Sequence, residues 1–206
     1  MPEAITPAFG QASSPAISPD GRWMAFVHTY EGRDSIGIIP SSGEVWPTRL
    51  VSGEDFYMQP CWHPHGDRLA WVSWDFPNMP WDGTWLRLGS LRLEPDGLPV
   101  MGEVTTLTGG EDISVFQPCF SPDGRYLAYA ADPTGWWQLY VYDFLTGEHR
   151  QLTFVEAEHG LPAWTQGMRV YDFSPDGTRL YFIRNQDGFN SLWQVELASG
   201  IEMRLP

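Results

Sequence analysis

Four copies of one short pattern, a proline-led turn running straight into an alternating apolar strand, set the limits on how this chain folds. They are Ser18-Pro19-Asp20-Gly21-Arg22-Trp23-Met24-Ala25-Phe26, His63-Pro64-His65-Gly66-Asp67-Arg68-Leu69-Ala70-Trp71, Ser121-Pro122-Asp123-Gly124-Arg125-Tyr126-Leu127-Ala128-Tyr129 and Ser174-Pro175-Asp176-Gly177-Thr178-Arg179-Leu180-Tyr181-Phe182. Proline presets φ for the second position of a tight turn, Asp or His bonds back to nearby backbone, and Gly accepts positive φ. Each copy therefore joins two antiparallel strands. The four prolines stand 45, 58 and 53 residues apart, the repeat scale of propeller blades rather than of helical solenoids.

Composition agrees. The 206 residues are 42% apolar, with eleven Trp, eleven Phe and eight Tyr beside 21 Gly and 18 Pro, a mixture suited to a packed core of short strands and turns. No long helical segment is expected. A formal charge of −14, with Arg supplying all twelve basic side chains, argues against nucleic acid or an anionic membrane as partner, because phosphate binding needs clustered cations. The start, Met1-Pro2-Glu3-Ala4-Ile5-Thr6-Pro7, has neither a basic n-region nor an apolar h-region, and no run approaches a membrane span. The expected location is the cytoplasm.

The repeats divide into strands. The first reads as Ser14 to Ser18, Trp23 to Val27, Ser35 to Ile39 and Val45 to Val51; the third and fourth repeat that scheme. Four strands per repeat, separated by turn signals, give blades spanning about 13–52, 58–108, 116–154 and 163–206. The fold class expected is all-β, a β-propeller of about four consecutive four-stranded antiparallel blades, TolB-like or WD40-like, as a partial propeller over 1–206. An open arc leaves an apolar blade face uncovered at each end, which predicts self-association. Two connections are longer than hairpins need: Asp75 to Gly83, with two prolines and a glycine, and Phe154 to Arg169. Extra length of this kind is usually functional or interface-forming.

Several strings resemble a known family. Val51-Ser52-Gly53-Glu54-Asp55-Phe56-Tyr57, then Trp74-Asp75-Phe76-Pro77-Asn78-Met79-Pro80-Trp81-Asp82-Gly83-Thr84, Ser114-Val115-Phe116-Gln117-Pro118, Thr134-Gly135-Trp136-Trp137-Gln138-Leu139-Tyr140 and Glu156-Ala157-Glu158-His159-Gly160-Leu161-Pro162-Ala163-Trp164 look like the β-propeller of the prolyl oligopeptidase family, in its bacterial dipeptidyl aminopeptidase/acylaminoacyl-peptidase form. The resemblance covers residues 12 to 206. It implies a serine peptidase in which a propeller of about seven blades caps a C-terminal α/β-hydrolase domain. The sequence departs from that pattern: no Ser is flanked by the glycines of a Gly-x-Ser-x-Gly elbow, so no catalytic residue is assigned and these residues should hydrolyse nothing alone.

Candidate residues follow from the resemblance and from the broken repeats. Glu156 and Glu158 flank Ala157, so in an extended segment they point the same way. In this family acidic propeller side chains can bind a peptide's free α-amine, and a carboxylate there fixes the distance from chain end to nucleophile; a solvated acidic loop is the other reading. Trp164, Asn78, Trp81 and Asp82 are the remaining substrate-binding candidates, with Trp81 alternatively pinning its own loop. Trp136 and Trp137 should divide between surface and core.

The five His are scattered, with His63 and His65 serving as turn residues in place of Ser and Asp, and no metal or cofactor is expected. Cys61 and Cys119 hold equivalent places in Gln59-Pro60-Cys61-Trp62 and Gln117-Pro118-Cys119-Phe120, as packing residues or as a disulfide. The implied partner is a peptide substrate, met together with a hydrolase domain. The alternative function is a stand-alone TolB-like propeller that binds a protein or peptide.

Overall fold

A computed structural model describes residues 4–94 and 97–206; the first three residues of the N-terminal reading lie outside them. Among the described residues the chain is all β, with sixteen strands in four four-stranded antiparallel meanders. Blade 1 holds β1 (Gln11–Ile17), β2 (Trp23–Tyr30), β3 (Arg33–Pro40) and β4 (Thr48–Val51); blade 2 holds β5 (Phe56–Trp62), β6 (Arg68–Trp74), β7 (Trp85–Leu93) and β8 (Pro99–Gly109). Blade 3 holds β9 (Val115–Phe120), β10 (Tyr126–Ala131), β11 (Gln138–Asp143) and β12 (Glu148–Gln151); blade 4 holds β13 (Tyr171–Phe173), β14 (Arg179–Gln186), β15 (Phe189–Glu196) and β16 (Glu202–Arg204). Among the described residues no helix is long and apolar enough to cross a membrane.

The repeated turns close the β1–β2, β5–β6, β9–β10 and β13–β14 corners. In the third, the Ser121 hydroxyl donates to Asp123 at 2.6 Å and accepts from the Tyr126 N–H at 2.9 Å, while Asp123 accepts from the Arg125 N–H at 3.0 Å. The Ser121 carbonyl takes the Gly124 N–H at 2.8 Å, and Gly124 sits at φ +74°. Copies at Ser18 and Ser174 make the same bonds. The side-chain bonds hold Asp20 and Asp176 down to about 2. One expected strand is shorter: β4 starts at Thr48 rather than Val45, since Pro47 cannot donate to a ladder and Trp46 lies exposed.

Packing runs from each blade to the next. Ile36 and Ile38 of blade 1 meet Tyr57, Leu69 and Trp71 of blade 2; Ala70 and Leu86 meet Leu127 and Tyr129 of blade 3; Phe116, Leu139 and Val141 meet Tyr171, Leu180 and Phe182 of blade 4. Among the described residues no buried cluster joins blade 4 to blade 1, so the four blades form an open arc. Trp137, 7% exposed, enters the core shared by blades 3 and 4, and Trp136, 38% exposed, faces outward, as expected, although both lie just ahead of β11 rather than in it.

A second repeat lies on the innermost strands. Ser14, Gln59 and Gln117 each precede a proline, each takes a positive φ of 47°, 53° and 53°, and each lies at a bulge in its ladder. The bulge turns their side chains toward the arc's axis. There Gln59 accepts the Gln117 N–H at 2.8 Å and donates to the Met168 carbonyl at 2.9 Å. Gln117 accepts from the Val170 N–H at 2.6 Å and donates to the Tyr171 carbonyl at 2.6 Å. Cys61 and Cys119, two residues further on, are free thiols that burial pushes up, so they are packing residues and poor nucleophiles.

Candidate functional site

In a meander each strand reverses the last, so the two ends of the arc carry different connections. The four repeated turns occupy one end, the turn face. The β6–β7 loop and the β12–β13 connection both emerge at the other, the loop face, together with the β8–β9 connection. The two enlarged segments therefore open on the same face.

The β6–β7 loop is built against blade 3. Asn78 donates through Nδ2 to the Glu111 carbonyl at 2.9 Å, and the Ser114 hydroxyl donates to the Pro80 carbonyl at 2.5 Å. Asp82 accepts the Met79 N–H at 2.9 Å and closes the turn that presents Trp81. Gly83 has no room for a side chain, because a Cβ there would lie 2.0 Å from the Glu111 carbonyl oxygen.

The β12–β13 connection is pinned at three places. The Glu158 backbone exchanges both hydrogen bonds with Asn185 at 2.9 Å, and its side chain accepts the Trp137 N–H at 3.1 Å. His159, fully buried, donates from Nδ1 to the Trp137 carbonyl at 2.9 Å and accepts at Nε2 from the Arg184 Nε–H at 2.8 Å. Arg184 is buried as well; it pairs with Glu202 and lies 4.1 Å from the Trp193 ring centroid. Burial first, and the Arg184 charge after it, hold His159 down to about 4. Further along, Gln166 donates to the Tyr57 carbonyl at 2.9 Å and accepts from the Ser14 hydroxyl at 2.5 Å. The connection thus crosses the axis from blade 4 to blades 1 and 2.

Between these anchors Ala163 is buried and Trp164 stands out, 68% exposed. Its ring meets Trp81 with centroids 4.3 Å apart, tilted by 42°. The two segments that break the repeat are joined by their tryptophans. Phe76, Met79, Phe154 and Leu161 are exposed beside them, and Asp75, Asp82, Glu111, Asp112 and Glu156 are exposed carboxylates of the same face. This surface combines aromatic faces with negative charge.

Of the six candidates, Trp81 and Trp164 form the centre of the surface, and Glu156 is an exposed carboxylate near them. Asn78 and Asp82 spend their side chains on holding the loop. Glu158 is half-buried, with one oxygen committed to the Trp137 N–H. The chain bends at Ala157, whose N–H bonds the Val155 carbonyl at 2.8 Å, so the two glutamates do not form the matched pair that an extended segment would give. Gln59, Gln117 and Gln166 were missed as organisers of the axis; the repeated Gln-Pro-Cys string was the only signal for the first two, and Gln166 had none.

The arrangement defines a propeller arc with one elaborated end face. No family model matches the chain. A puromycin-hydrolyzing peptidase of Mycobacterium tuberculosis is 29% identical and superposes with a TM-score of 0.83 over 97% of this chain and 32% of that one. The uncharacterized peptidase YuxL of Bacillus subtilis is 29% identical over 177 residues, 85% of this chain and 22% of its own length. TolB from Acinetobacter baumannii shares the fold, with a TM-score of 0.69 and 20% identity over 100% of this chain and 46% of that one. The chain thus spans from about a fifth to under half of these proteins. In sequence and fold the chain is a partial β-propeller similar to part of these peptidases.

Proposed function

We infer that this propeller is the non-catalytic part of a prolyl oligopeptidase-family serine peptidase, admitting short or unfolded peptides and orienting them at its loop face. The observation that carries the reading is the contact of Trp81 with Trp164, which fuses the two elaborated segments into one aromatic surface. The nucleophile, base and oxyanion donors belong to an α/β-hydrolase domain. The propeller contributes sieving and position: stacking on the indoles holds the peptide, and Glu156 offers a charge-assisted hydrogen bond to a free α-amine. A carboxylate at a set distance from the nucleophile selects exopeptidase cleavage. The stronger likeness to peptidases than to TolB, 0.83 against 0.69 in TM-score, supports this over a stand-alone binding module.

Calorimetry with the 206-residue chain tests it. Tripeptides with a free amino terminus should bind saturably, their N-acetylated forms at least several-fold more weakly, and a folded protein not at all. A fluorophosphonate serine probe should leave the chain unlabelled. Labelling, or equal indifference to every peptide, would remove the reading.

A further inference from the structure

The turn of blade 2 departs from its three sisters at three positions at once. In the sisters the first, third and fifth places are Ser, Asp and Arg or Thr, and in each the Ser hydroxyl donates to the Asp. Ser18 donates to Asp20 at 2.6 Å and Arg22 reaches Asp20 at 2.6 Å; Ser174 and Thr178 donate to Asp176 at 2.6 and 2.8 Å. In blade 2 those places are His63, His65 and Asp67. The donors have gone, and three electron-pair donors converge instead, their ligand atoms within 4.8 Å of one another.

The orientation of His63 sharpens the point. The ring is buried, edge-on to Phe120, and its Nε2 lies 3.1 Å from the Gly124 carbonyl, an acceptor only, so Nε2 carries the proton. Nδ1 is then a lone pair, consistent with the His65 N–H 3.3 Å away at the long end of hydrogen bonding. That lone pair faces the Asp67 carboxylate at 2.8 Å. A contact this close is filled either by a second ring proton or by a metal ion beside the two groups, and the nearby His65 ring makes the second possible. A metal-binding imidazole typically donates its other N–H to a backbone carbonyl, which fixes tautomer and ring plane; His63 has that bond already, supplied by the next blade.

We propose that His63, His65 and Asp67 form a binding site for a divalent transition-metal ion of the zinc class. Two imidazoles and one carboxylate suit such an ion better than calcium or magnesium, which prefer all-oxygen shells. Tetrahedral ligands around zinc lie roughly 3.4 Å apart, so Asp67, now 2.8 Å from His63, would open slightly and His65 would swing in, and both side chains are exposed. An open groove of about 510 Å³, lined by His65, Asp67 and Asp20 of blade 1, gives the ion its path. The competing cation is Arg68, whose Nε stays 3.8 Å from Asp67 while its guanidinium lies over Phe144 at 5.1 Å. The site lies on the turn face, opposite Trp81 and Trp164, so bound metal would brace the blade 2 turn without touching the peptide surface.

The test is calorimetric titration of the 206-residue chain with Zn²⁺, and of His65→Ala, Asp67→Asn and, as control, His28→Ala. His63 is left in place because it bridges two blades. One equivalent should bind, with His65→Ala and Asp67→Asn each weakening it at least tenfold and His28→Ala leaving it unchanged. The Co²⁺ form should show visible d–d absorption that His65→Ala abolishes. No saturable binding would overturn the proposal and leave the His63–Asp67 contact to a proton. Binding that both variants retain would overturn it equally, since the ion would then sit elsewhere.

Discussion

The side-chain carbonyl of Gln59 accepts the backbone N–H of Gln117 at 2.8 Å, so the bulge residue of one inner strand holds the bulge residue of the next blade. The same amide donates to Met168 on the connection that crosses the axis. Replacing Gln59 by Ala leaves two backbone groups without partners near the axis, at a cost of about 1–3 kcal/mol. Urea unfolding should show that loss as a lower midpoint with an unchanged slope. A loss under a few tenths would mean that water replaces the amide.

Two turn glycines separate backbone strain from contact between blades. Gly21, at φ +72°, has nothing within 4 Å of a built Cβ; Gly124, at φ +74°, would place one 2.4 Å from Nε2 of the buried His63. Gly21→Ala should therefore cost about 1 kcal/mol, the price of a left-handed residue. Gly124→Ala should cost roughly 1–3 kcal/mol more through overpacking. Equal melting temperatures for the two variants would contradict the blade 2–blade 3 contact.

Acid should weaken the fold through His159. Its folded value, lowered to about 4 from 6.5, means that below 6.5 the unfolded chain takes up a proton that the folded one refuses. The stabilisation is complete above pH 6.5 and is lost as pH falls toward 4, reaching roughly 2 kcal/mol by pH 5. His149, also lowered by burial, acts in the same direction. The tightly held Asp20 and Asp176 respond only at lower pH. NMR titration should find the His159 ring neutral and Nδ1-protonated at pH 5.5; an ordinary imidazole titration there would refute the buried pairing with Arg184.

The paired tryptophans that lead into β11 give a sharper contrast. Trp137→Ala removes a ring from the core between blades 3 and 4 and should cost about 3–5 kcal/mol. Its surface neighbour, Trp136→Ala, should stay within about 1 kcal/mol. Thermal melts of the two variants decide this.

These features were unequally visible in the sequence. The turns and the alternation of Trp136 and Trp137 are local, so period and turn chemistry reveal them directly. Loop positions were visible as interruptions of the repeat, but the meeting of Trp81 with Trp164 depends on how blades stack and leaves no mark in either segment alone. Reading Glu156 and Glu158 as a pair assumed an extended chain; the bend at Ala157, made so that Glu158 can take the Trp137 N–H, defeats that assumption. The convergence of His63, His65 and Asp67 was hidden for a different reason: taken singly each residue looks like turn chemistry, and only comparison with the sister turns shows that the Ser, Asp and Arg or Thr of the pattern have all been exchanged for metal-ligand residue types.

The most direct measurement of the loop face is the indole N–H spectrum of the chain, with the Trp81 and Trp164 signals assigned from Trp81→Phe and Trp164→Phe, during titration with a short peptide bearing a free amino terminus. The account predicts saturable shifts of both signals together, weakened in Glu156→Gln, while the buried Trp71 signal stays fixed. Shifts confined to other tryptophans, or none at peptide concentrations up to the millimolar range, would contradict it.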